Sequence, residues 1–170
     1  MRKTILIFAA LCTLPYTLLL SCSTSESARA EKSAREAALN EIISEGLSSR
    51  HYSIDIDRAY PDGRASVINL TSLYSVTVSG DTIISYLPFF GRAYNVPYGG
   101  GKGLNFTGKI RKYSESKNRK GEQNILMDVT SDEDTYLYYI TIYKGGYATV
   151  DVQPHQRSHI YFSGNYHTDE

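Results

Sequence analysis

Tryptophan is absent from this 170-residue chain, and cysteine occurs only twice. Both cysteines, Cys12 and Cys22, lie within the first 22 residues. Everything after them lacks a thiol, which excludes a disulfide framework, a metal-thiolate centre and a cysteine nucleophile. Stability must then come from core packing and hydrogen bonding. Charge of one sign is missing too. Eighteen Lys and Arg balance 18 Asp and Glu, so no broad field gathers nucleic acid. The Gly-x-Ser-x-Gly elbow, His-Glu-x-x-His and telling carboxylate pairs are also lacking, and the chain is expected not to be an enzyme. Gly99 to Gly103 imitates a phosphate loop, but Lys102 is followed by Gly103 rather than Ser or Thr, and no nucleotide cofactor is expected.

What is present begins at the amino terminus. Arg2 and Lys3 precede an apolar run from Ile5 to Leu20, which closes on Leu19-Leu20-Ser21-Cys22. An aliphatic residue three before a cysteine, with a small residue just before it, reads as a bacterial lipobox. A plain transmembrane span needs ~20 apolar residues and no such ending. Residues 1–21 are therefore expected to be a signal peptide, with Cys22 the lipidated residue. Cleavage would leave 149 residues with 16 basic and 18 acidic side chains, a net charge of −2. The expected address is the cell envelope, lipid-anchored, and the outer membrane in particular, because Ser23 rather than Asp follows the cysteine. Whether the domain faces the periplasm or the surface stays open.

Residues 22–48 are expected to form a lipidated tether and an N-terminal helix. Glu26 to Glu45 are rich in Ala, Glu, Lys and Arg without Pro or Gly, and Glu31 precedes Arg35 by one favourable four-residue step. Leu39, Ile42, Ile43 and Leu47 make an apolar stripe on the last turns, and Gly46 fits a helix stop. After Ser49 the period changes to two. Residues 49–170 read as short strands, alternating in Tyr52–Asp57, Tyr74–Val78 and Leu104–Ile110, with Val67–Leu70, Thr82–Tyr86, Ile125–Val129, the long β-rich run Tyr136–Tyr143, Tyr147–Val152 and Ile160–Phe162 completing the set. A polar loop is expected from Ser114 to Gly121. Tyrosine supplies 15 of the aromatics against five Phe, which suits amphipathic strands or an aromatic surface for sugars, lipids or peptides. Hairpin-length connections predict an all-β antiparallel meander of about eight strands, closing into an up-and-down barrel, with a β-sandwich as the alternative.

The longest stretch without alternation, Ser85 to Gly103, holds Tyr86-Leu87-Pro88-Phe89-Phe90-Gly91-Arg92-Ala93-Tyr94 and then Tyr98. Such an apolar loop either packs across a barrel end, pinned by Arg92, or presents an aromatic surface. Arg92 would in that case serve a ligand. Tyr86, Phe89, Phe90, Arg92, Tyr94 and Tyr98 are accordingly the candidate ligand-binding residues, and Asp81 is the carboxylate expected beside Arg92. This nine-residue run, with Gly80-Asp81 before it and Arg157, Ile160, Tyr161 and Gly164 later, resembles a family of exported lipoproteins. They occur chiefly in Bacteroidetes and are catalogued as domain-of-unknown-function family 4251. The resemblance covers nearly the whole mature chain. It implies a lipocalin-like barrel topology and no assigned activity.

Three other groupings carry a bland and a sharp reading. His155 and His159 flank Arg157 ahead of a strand, so they would not share a face, and no metal site is expected. Asp128, Asp132, Glu133 and Asp134 lack calcium-loop spacing and read as a solvated hairpin. Lys109, Arg111, Lys112, Lys117, Arg119 and Lys120 form a basic loop that is either merely solvated or touches anionic lipid heads. The leading functional expectation is non-catalytic binding of a small apolar or amphiphilic ligand, or of an envelope component. The alternatives are an interaction lipoprotein with a filled barrel, partnered by an envelope protein, and an envelope glycan or lipid hydrolase. Inward Gly108, Ala148 and Ser163 would leave a cavity, whereas inward Tyr and Met would fill it.

Overall fold

The computed structural model describes residues 23–61, 66–95 and 102–167. One helix, α1 (Ser23–Ser49), precedes eight strands: β1 (His51–Tyr60), β2 (Ile68–Ser79), β3 (Thr82–Leu87), β4 (Leu104–Lys117), β5 (Gln123–Thr130), β6 (Thr135–Ile142), β7 (Tyr147–Pro154) and β8 (Ile160–Tyr166). Each strand pairs antiparallel with the next, and β1 pairs with β8, so the meander closes into a barrel in strand order. Closure removes the exposed edges that a long meander would otherwise leave. The sandwich alternative is thus excluded. The signal segment and Cys22 lie outside the described residues, as does Tyr98. Among the described residues no helix is long and apolar enough to cross a membrane.

Alternation decides which side chains enter. Along β6 every second residue is buried, Tyr136, Tyr138, Ile140 and Ile142, while Leu137 and Tyr139 stay outside. The same phase carries Ile54, Val76, Ile83, Leu104, Met127, Val150 and Phe162 into the centre, each at most 1% exposed. Met127 and Tyr138 therefore point in. Gly108, whose lack of a side chain suggested space, has none: a Cβ there would stand 2.7 Å from Val129 Cγ1 and 2.9 Å from Phe106. Ser163 belongs to the outer phase. Eight strands give an interior that side chains can just fill, and here they fill it. Inside, the Tyr138 hydroxyl donates to Ser85 Oγ at 3.0 Å, and burial pushes that phenol well above its ordinary pKa.

Several boundaries differ from the sequence expectation. β2 is one strand, not two, because Asn69 and Ile68 pair with Arg58 and Ala59 of the adjacent β1. β4 runs to Lys117 through the expected polar loop, past a bulge between Ile110 and Lys112. The helix passes Gly46 and ends at Ser49, with the left-handed residue at Arg50 (φ 53°). Gly46 lacks a side chain for a packing reason: a Cβ there would collide with the Tyr166 hydroxyl. The helix divides between two compact units, residues up to Ala37 and residues from Ala38 onward. In the second unit Ile43 and Leu47 are buried and Leu39 packs against the core, but Ile42 is 49% exposed. The stripe is thus narrower than its spacing implied. In the first unit, the ion pair along the helix is Lys32–Glu36 (4.0 Å) rather than Glu31–Arg35.

Candidate functional site

The barrel has two unlike ends. At one lie the α1–β1 connection and the β2–β3, β4–β5 and β6–β7 turns. At the other lie residues 88–95, 131–134 and 155–159, which connect β3 to β4, β5 to β6 and β7 to β8. This second end holds the aromatic segment, and its geometry starts from backbone pairing. Ala93 bridges antiparallel to Arg157. Tyr94 N–H donates to Gln156 O, and Ser158 N–H donates to Arg92 O, both at 2.9 Å. The Ser158 hydroxyl accepts from Arg92 N–H at 3.0 Å. Residues 92–94 therefore form a strap bonded to 156–158.

Beneath the strap sits an arginine, but it is Arg157 rather than Arg92. Its side chain is 6% exposed and its Nη2 donates to Glu133 Oε2 at 3.4 Å. Its guanidinium lies over the Phe89 ring, 5.5 Å from the centroid. Glu133 also accepts from Lys102 N–H at 3.3 and 3.4 Å. One ion pair thereby ties four separate segments of the barrel end. Asp134, buried beside it, accepts from Thr135 N–H at 2.7 Å and from Gln156 N–H at 3.0 Å. The expectation of a solvated acidic loop fails for these two carboxylates, because both are used as acceptors that hold neighbouring loops. Asp128 pairs with Arg111 at 2.7 Å.

Arg92 is exposed and joins the strap through its backbone alone. Asp81, its expected partner, is at the other barrel end and pairs with Arg50 at 2.9 Å. Of the other candidates, Phe89 is half-buried under Arg157, while Tyr86 lies on the outer face of β3 and stacks on Tyr74 at 5.4 Å. Phe90 and Tyr94 are 37% and 71% exposed. The described members of the set thus form a partly exposed aromatic ridge with one buried foot. Beside it a cleft of about 270 Å³ opens over the stacked Phe106 and Tyr136 rings (4.3 Å), with Lys102, Asn105, Asp132 and Glu133 around it. Burial raises the Tyr136 phenol above its ordinary pKa, against the opposing effect of a hydrogen bond to Ser131.

The remaining groupings lie apart. His155 is exposed beside Gln156, and His159 is edge-on to Tyr161 at 5.0 Å. The basic side chains of the β4–β5 hairpin are exposed, with Arg111 engaged by Asp128.

An expected result separates the two arginines. Arg157→Met should cost about 2–3 kcal/mol, since Glu133 would keep a partly buried charge without its cation. Arg92→Met should stay within about 0.5 kcal/mol, as exposed substitutions do. Urea unfolding of both variants checks this, and equal losses would contradict the assignment.

A family model described as "Domain of unknown function (DUF4251)" matches residues 31–166. No curated protein matches the chain. Among solved structures, it is similar to a DUF4251 family protein from Bacteroides eggerthii, with 19% identity and a TM-score of 0.60. The match covers 78% of this chain and 89% of that one, and at that identity it speaks to the fold alone. The chain belongs to the DUF4251 family.

Proposed function

We propose that this DUF4251 protein is a non-catalytic interaction lipoprotein of the cell envelope. Acylated at Cys22 and held at the outer membrane, it would use its barrel as a rigid scaffold and its strap as the contact surface for an envelope protein. The observation that carries this reading is the filled interior. With Met127, Tyr138 and Phe162 packed in the centre, recognition falls to the outside, and a ligand enclosed in the barrel fits the geometry less well. The strap presents Phe90, Arg92 and Tyr94, residue types enriched where proteins meet. Its backbone is already fixed to 156–158, so docking would cost little ordering entropy. Catalysis draws no support from Glu133 and Asp134, whose carboxylates are taken up by structural hydrogen bonds.

The test has two arms. Cys22→Ala should abolish acyl labelling and leave the precursor uncut, and a labelled mutant would refute anchoring at this residue. A photo-crosslinking residue at Tyr94 should give one discrete protein adduct in intact cells, and the adduct should vanish with Phe90→Asp. The same probe at Tyr139, on the outer face of β6, should give none. Equal adducts from both positions would sink the strap as the contact surface.

A further inference from the structure

On the outer wall of the barrel, four tyrosines surround one pocket. Tyr147 and Thr149 from β7, Tyr161 and Ser163 from β8, Tyr60 at the end of β1 and Tyr143 beside the β6–β7 turn line a hollow of about 230 Å³. Register explains the gathering. Thr149 pairs with Ser163 across β7 and β8, and Tyr161 pairs with Tyr60 across β8 and β1. The bulge between Ile56 and Arg58 shifts β1 so that Tyr60 arrives on this face. Tyr143 and Tyr147 pack tilted, 5.6 Å between centroids.

We infer that this pocket is a binding site for a neutral sugar ring. Three features of the lining select that chemistry. First, no Lys, Arg, Asp or Glu lines it, so an anion or cation finds no counter-charge to offset its lost hydration. The carboxylates nearby stand behind the lining: Asp57 accepts from the Ser163 hydroxyl at 3.4 Å, and Asp151 pairs opposite Tyr161 across β7 and β8. Second, the polar groups are hydroxyls, and several remain available. The Tyr60 and Ser163 oxygens stand 3.3 Å apart. With Ser163 donating onward, Tyr60 is the donor to it and keeps lone pairs to offer. The phenols of Tyr143 and Tyr147 have no hydrogen-bond partner among the described residues. Third, the bodies of the rings are apolar. Tyrosine joins an apolar face to a polar tip, which matches a pyranose, with C–H groups on one face and hydroxyls around its rim. A purely hydrocarbon ligand would leave the phenols facing nothing. The hollow is small against ordinary ligand pockets, which suits one ring of an oligosaccharide with its neighbours in solvent. The site adjoins the strap through Tyr161, which also lines a hollow with Tyr94, but it does not depend on protein docking there.

The experiment titrates the full-length protein, in a detergent without a sugar headgroup, with cellotetraose, maltotetraose and chitotetraose by calorimetry. At least one should bind saturably. Tyr147→Ala should weaken that binding about tenfold or more while the melting temperature stays at the wild-type value, because Tyr147 is already 38% exposed. Tyr147→Phe should retain part of the affinity, since the ring remains and only the hydroxyl is lost. The proposal is overturned if none of the three saccharides binds saturably. It is equally overturned if binding is indifferent to Tyr147→Ala, or if a neutral proline-rich peptide occupies the tyrosines in preference to all three sugars.

Discussion

Gly164→Ala should destabilise the protein by about 3 kcal/mol, which for a chain of this size lowers the melting temperature by roughly 9 °C. The reason is the seam that closes the barrel. Gly164 faces Ile56 across the β1–β8 pair. A Cβ at this position would run into the Asp55 carbonyl oxygen and stand 2.9 Å from Ile56 Cα. Both obstacles are backbone, so no rotamer change relieves them, and β1 must move off β8. Gly145→Ala is the control. Gly145 has a positive φ of 87° but nothing within 4 Å of the added carbon, so only conformational strain of about 1 kcal/mol applies. Urea unfolding of the two variants should separate them clearly. A Gly164→Ala protein within about 0.5 kcal/mol of wild type would mean that the seam is not built as described.

Leu47→Asp should cost still more, about 4 kcal/mol, by placing an unpaired carboxylate where a 1%-exposed leucine now packs. Ile42→Asp, five residues earlier on the same helix, should cost under about 1 kcal/mol because that side is 49% exposed. The contrast tests which face of α1 the barrel covers. It also tests whether the terminal turns are part of the core, as the burial of Ile43 and Leu47 and the packing of Leu39 imply. If both substitutions had the same effect on the melting temperature, Ala38–Ser49 would not be docked through Ile43 and Leu47.

The sequence disclosed most where one face of an element is buried and the other wet. Tyr52 to Asp57 alternate apolar and polar so strictly that both the strand and its inward face were legible. So was the closure, because short hairpins leave a long meander few ways to hide its edges. Legibility failed where pairing with the neighbouring strand, rather than a segment's own pattern, decides the outcome. Thr71, Ser72 and Leu73 carry no buried face, Leu73 being 95% exposed. Yet β2 continues through them, because the strand keeps pairing with β1 on either side. The bulge after Ile110 changes the phase of β4, so its last turns of alternation read as loop.

The candidate site shows the same division. The aromatic run around Arg92 was conspicuous in composition, and residues 92–94 of it are hydrogen-bonded along 156–158 at one barrel end. Which arginine is buried was not conspicuous. Arg92 is surrounded by rings in sequence and Arg157 by Gln, Ser and His, but the antiparallel bridge puts Arg157 beneath and Arg92 outside. Only the resemblance, whose later motif includes Arg157, pointed to that residue. The tyrosine pocket draws its members from β1, β7 and β8 and from beside the β6–β7 turn, and no local spacing announces such an assembly.

The central claim is that the barrel is a packed scaffold whose recognition surfaces are external. Xenon pressurisation of crystals tests it most directly, since xenon enters dry apolar voids of modest size. The expected result is no xenon site among Met127, Tyr138, Val150 and Phe162. A well-occupied xenon atom at the centre of those side chains would show an interior able to hold a ligand and contradict the account.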